Sequence, residues 1–133
     1  MHAPLAHPPR TMPLHYLDFD YSEDDEGTGT FDAMAAASPA QLPAVQAEVA
    51  QVLAWAHAHF PDARGPVDEG GEWDYDLSAV QEVSTPVALE FDRSAGRIAA
   101  HPGVPGAPRT TVTLSISGSS AFCAALRGAF ELK

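Results

Sequence analysis

The stretch Thr111-Val112-Thr113-Leu114-Ser115-Ile116-Ser117-Gly118-Ser119-Ser120-Ala121-Phe122-Cys123-Ala124-Ala125-Leu126 changes its period part-way along. As far as Ser117 every second residue is apolar, which is the pattern of a strand with one wet face. From Phe122 the apolar residues recur at every fourth position, Phe122, Leu126 and Phe130, and so form one stripe of a helix. Gly118-Ser119-Ser120 between them supplies a break and a serine cap. A strand greasy on one side that leads straight into a helix greasy on one side implies a helix lying back on a sheet.

The remaining segments extend that scheme. Leu42, Val45, Val49, Val52, Leu53, Ala56 and Phe60 fall at spacings of three and four along a second helix that Pro61 ends. Ser38-Pro39 reads as its start, unless Pro43 moves the start later. Trp73, Tyr75 and Leu77 alternate with Glu72, Asp74 and Asp76, and Val87, Leu89 and Phe91 alternate with Ala88, Glu90 and Asp92. The turn Arg93-Ser94-Ala95-Gly96 then sends the chain back through Arg97 to Ala100 as a hairpin. Near the beginning, Leu14 to Tyr21 also alternates, and Thr30 to Ala35 reads as its returning strand.

The fold expected is therefore α+β, a two-layer sandwich. An antiparallel sheet of about five or six strands carries two helices on one face, in the order β-β-α-β-β-β-β-α. Leu17, Phe19, Leu89 and Leu114 should all face the helices. Residues 1–12, rich in proline, read as a disordered tail, and 13–133 as a single domain.

Eighteen acids against seven bases give a formal charge of −11, which opposes binding to nucleic acid and to anionic membranes. Seven of the acids lie between Asp18 and Asp32 and six more between Asp62 and Asp76, with Arg64 as the one base inside either stretch. No run approaches the ~20 apolar residues of a membrane span. A single cysteine, Cys123, forms no internal bridge, so a soluble protein of a reducing cytoplasm is the expectation.

The acidic run after Tyr21, Ser22-Glu23-Asp24-Asp25-Glu26-Gly27-Thr28-Gly29, is expected at a hairpin tip. It does not spell a calcium loop. Counting from Asp18, the glycine position holds Glu23 and the closing glutamate position holds Gly29; from Asp20 they hold Asp25 and Phe31. His57 and His59, two apart on a helix, point some 200° from one another and grip no common ion. Cys123, next to Phe122 and near Leu126, reads as packing rather than as a nucleophile. The chain holds no phosphate-binding glycine loop, zinc spacing or dinucleotide fingerprint, and no cofactor is expected.

Two functional readings follow. The first is a non-catalytic domain that contacts a basic protein partner through its carboxylates, with Asp18, Asp20, Asp24, Asp25, Glu26, Trp73, Asp74, Tyr75 and Asp76 as candidate binding residues. The second is a divalent-cation-dependent enzyme or ligand binder that uses Asp18, Asp20, Asp74 and Asp76, and it requires the first and third strands to be neighbours. Homo-oligomerisation through an uncovered strand edge is a third route to partners.

Overall fold

The computed structural model describes residues 13–61 and 63–132, so the tail expected at 1–12 lies outside the described residues. The order is β1 (Asp20–Glu23), β2 (Gly29–Ala37), α1 (Leu42–His59), β3 (Trp73–Glu82), β4 (Val87–Asp92), β5 (Arg97–Pro102), β6 (Arg109–Gly118) and α2 (Ser120–Phe130). Two helices and six antiparallel strands make the α+β class that the periodicities indicate. No described helix is long and apolar enough to cross a membrane.

One expectation about the sheet needs correction. The six strands do not form one layer: β1-β2-β6-β3 make a four-stranded sheet, and β4-β5 make a separate two-stranded unit. The long strand β6 is the spine. It pairs with β2 from Thr110 opposite Ala37 to Gly118 opposite Gly29, and with β3 from Arg109 opposite Glu82 to Gly118 opposite Trp73. Strict alternation fixes its two sides, with Val112, Leu114 and Ile116 buried and Thr111, Thr113, Ser115 and Ser117 half-exposed.

Phe31, Ala33, Ala35 and Ala37 of β2 share the buried side with these residues and join Val45, Val49, Val52, Trp55 and Ala56 of α1 and Phe122, Cys123, Leu126 and Phe130 of α2 in one core. Alanines on β2 let a helix come close. Under the start of α2 two glycines, Gly29 and Gly118, stand opposite one another. A Cβ on Gly118 would overlap the Phe122 ring, so the glycine is what allows that ring to lie against Trp73 with the planes 3° apart. Ser119 caps α2 by accepting a hydrogen bond from the Phe122 amide. At the other helix Gln41, not Ser38, is the N-cap, with Pro43 in the first turn, where a missing N–H costs nothing.

The chain from Leu14 to Phe19 is not a strand; pairing begins only at Asp20. The reason is Glu48 in α1. Its buried carboxylate accepts hydrogen bonds from the amides of His15 (2.6 Å), Tyr16 (3.0 Å) and Leu17 (3.0 Å). Three successive amides aimed at one anion cannot also serve a ladder. Leu17 still reaches the core and Phe19 packs against it, as their apolar character demands.

β4 and β5 depart most from expectation. Past Glu82 the chain leaves the sheet as a two-stranded arm. It is held by the Gly106 amide donating to Ser84 O and the Gly103 amide to Pro86 O, both at 2.7 Å, and then by the β4–β5 ladder. From Val83 to Asp92 such a ribbon reaches ~30 Å at ~3.3 Å per residue. Leu89, expected in the core, is 69% exposed and Phe91 is 60% exposed, because neither helix extends over the arm.

Candidate functional site

The face of the sheet away from the helices carries the carboxylates. Across it run two cross-strand rows, Asp20-Asp32-Ser115-Asp76 and Ser22-Thr30-Ser117-Asp74. In the first row Asp32 of β2 and Ser115 of β6 lie between Asp20 of β1 and Asp76 of β3; in the second, Thr30 and Ser117 lie between Ser22 and Asp74. The two edge strands are therefore as far apart as the sheet permits. With three strand spacings of ~4.8 Å, Asp20 and Asp76 stand ~14 Å apart.

That distance overturns the four-aspartate cation site. Carboxylates holding one hard ion must each reach within ~2.5 Å of it, so Asp20 and Asp76 cannot share one, and Asp18 sits further out on the exposed chain before β1. Among the described residues no group of three or more His, Cys, Asp or Glu side chains could hold a metal. The strand neighbour that Asp20 does have is Asp32, a residue the sequence pattern left unassigned. A like-charge pair facing across a ladder is destabilising unless water or a cation screens it.

The hairpin tip and the start of β3 do come together. Asp24, Glu26 and Thr28 from the tip, Asp74 and Ser117 from the sheet, and Pro66 and Val67 from the loop after α1 line a cleft of about 580 Å³. Its shape is locked on both sides. Asp24 Oδ1 accepts the amides of Glu26 and Thr28, each at 2.9 Å, which closes the turn. Asp74 Oδ1 accepts Arg64 Nε at 3.0 Å and the Tyr75 amide at 2.9 Å. In both cases Oδ1 holds the scaffold, and among the described residues no hydrogen bond is made to Oδ2. Arg64 is the one base that forms an ion pair with this face among the described residues. Asp25 is exposed at the tip.

The two aromatic candidates lie on the other side of the sheet. Trp73 is fully buried, stacked on Phe122, with its Nε1 donating to Phe60 O. Tyr75 is half-buried beneath the Arg64 guanidinium, 4.5 Å from its ring centroid. Being odd-numbered in β3 puts both beside the core while Asp74 and Asp76 face outward. Trp73 supports the acidic face from behind, whereas Tyr75 also borders a small hollow with Asp74, Asp76, Ser115 and Ser117.

Cys123 is buried, and burial pushes its thiol pKa up. Its side chain belongs to the core, with Phe122 and Leu126. His57 and His59 are exposed near the end of α1, where His59 stacks on Trp55. No family model, curated protein or solved structure matches the chain.

Proposed function

We propose that the protein is a non-catalytic binding domain that receives a basic protein partner on its carboxylate face, with Asp24, Glu26 and Asp74 around the cleft taking a lysine or arginine side chain. The observation that carries this reading is the cleft itself. Three carboxylates from two separated segments converge on it while their backbones are held fixed by hydrogen bonds. Preorganised anions that need no rearrangement favour a cation and steer it from a distance. Asp20, Asp32 and Asp76 extend the same charge across the sheet and guide the approach. A single buried thiol is compatible with a reducing, cytoplasmic setting.

The test is capture of binding partners on immobilised protein at low and at high salt, wild type beside Asp24→Asn/Glu26→Gln/Asp74→Asn. A basic protein retained at low salt, released by salt and lost with the triple variant is expected. Retention that ignores ionic strength, or that survives the triple substitution, overturns the reading.

A further inference from the structure

The arm has one apolar face. Val87, Leu89 and Phe91 of β4 lie opposite Pro102, Ala100 and Ile98 of β5, and all belong to the same side of the ribbon. Val83 and Val104 beside them are also exposed. The two pairings differ in register by an even number of residues, so the apolar side of the arm has the same residue parity on both strands as the helix-facing side of the sheet. It is the part of the hydrophobic layer that no described residue of its own chain covers.

The same chain carries a groove of matching character. Val49, Ala50 and Leu53 of α1, Leu77 and Ala79 of β3, and Val112 of β6 line a cavity of about 450 Å³ that opens along the outer side of β3. No charged residue takes part in it. Beyond the short bridge of Trp73 to Arg64, the remaining edge of β3 has no strand partner among the described residues.

We propose that the occupant of this groove is the arm of a second copy of this chain, and that two copies exchange arms reciprocally about a two-fold axis. Charge favours this occupant. Residues 83–108 hold two acids, Glu90 and Asp92, and two arginines, Arg93 and Arg97, so the whole excess of −11 lies outside the arm. Two acidic bodies repel, and the neutral arm and the uncharged groove are the surfaces that can meet without that repulsion. Six large apolar side chains on each arm, at roughly 50 Å² newly covered apiece, put on the order of 600 Å² of arm surface per pair out of water. An apolar strip of that extent left bare is an aggregation hazard, and reciprocal exchange closes it. Both acidic faces of the pair stay open, because the arm and groove use the opposite side of the sheet.

The experiment is sedimentation of the full chain from low to high micromolar concentration. Wild type is expected at twice the 14.0 kDa chain mass, and Leu89→Asp in the arm and Ala50→Arg in the groove should each shift it to the monomer. Both positions are exposed, so a circular dichroism spectrum of each variant checks that it still folds. Met34→Asp on the open face should leave the dimer intact. Mixed chains carrying Leu89→Cys and Ala50→Cys should then form a disulfide-linked pair that neither forms alone. A monomeric wild type overturns the proposal, as does a dimer indifferent to Leu89→Asp. Loss of the dimer with Leu89→Asp but not Ala50→Arg, or cross-linking of Leu89→Cys to itself, would place arm against arm and overturn the groove assignment.

Discussion

Glu48 holds Leu17 in place through the backbone: its Oε1 lies 3.0 Å from the Leu17 amide, and the same carboxylate receives the amides of His15 and Tyr16. A charge in the middle of an otherwise apolar helix stripe thus ties the first described segment to the core. The contact spans 31 residues of chain, and no local pattern announces it.

Removing that carboxylate should loosen the segment. Glu48→Ala leaves three amides without their anion, and hydrogen bonds to charged groups contribute ~1.5–3 kcal/mol. Because residues 13–19 can swing out to water, the loss is bounded by release of Leu17, and about 2–3 kcal/mol is expected from urea denaturation. Amide exchange at 15–17 should accelerate before the sheet core does. A variant as stable as wild type would show that the clip contributes nothing net.

The sequence reveals which way residues face far better than what lies opposite them. Alternation in β6 and the four-residue spacing in α2 place Val112, Leu114, Ile116, Phe122, Leu126 and Phe130 in the core, and all six are buried there. In β4 the same alternation identifies an apolar side without telling that the helices stop short of it, so Leu89 is misplaced. Leu14–Phe19 alternates like a strand, but its amides belong to Glu48. The order β1-β2-β6-β3, which separates Asp20 from Asp76 and brings Asp24 to Asp74, depends on long-range pairing that composition and spacing do not encode.

Glycine substitutions should separate two roles within a few residues. Gly118→Ala drives a methyl into the Phe122 ring, and overpacking of a filled core costs ~1–3 kcal/mol. Gly128 in α2 is exposed, and a Cβ there meets nothing within 4 Å. Gly128→Ala should therefore stabilise by up to ~1 kcal/mol through helix propensity. Thermal melts that fail to move in opposite directions would refute the assignment.

Cys123 should resist thiol reagents in the folded protein. Its sulfur is buried, 3.5 Å from Gly118 O, and desolvation raises its pKa, so little thiolate forms at neutral pH. A chromogenic disulfide reagent should react slowly in buffer and fast in urea, with the native rate tracking the unfolding equilibrium. Rapid stoichiometric reaction without denaturant would contradict the burial.

The tip of the arm should be sensitive to acid. Asp92 Oδ1 accepts hydrogen bonds from the Ser94 hydroxyl at 2.7 Å and from the amides of Ser94 and Ala95, and these hold its carboxyl below the usual range, the Ser94 hydroxyl contributing most. A folded pKa beneath the unfolded one means that the turn is favoured above the ordinary Asp value of ~3.9 and loses that support as pH falls through the depressed value. Proton-detected titration should show Asp92 protonating below the ordinary Asp value of ~3.9. Asp92→Asn should remove the acid response of the Ser94 and Ala95 amides.

Within the acidic tip, charge and structure should come apart. Asp24 closes the turn through the amides of Glu26 and Thr28, whereas Asp25 makes no recorded side-chain bond among the described residues. Asp24→Ala should cost ~1–2 kcal/mol, since two amides lose a charged acceptor although water reaches them at the surface. Asp25→Asn should stay within about 0.5 kcal/mol of wild type or stabilise slightly by relieving repulsion among neighbouring carboxylates. Urea midpoints for the pair decide it. Equal loss in both would mean that the run acts only as bulk charge, while loss confined to Asp24→Ala shows that one of its acids builds the cleft wall.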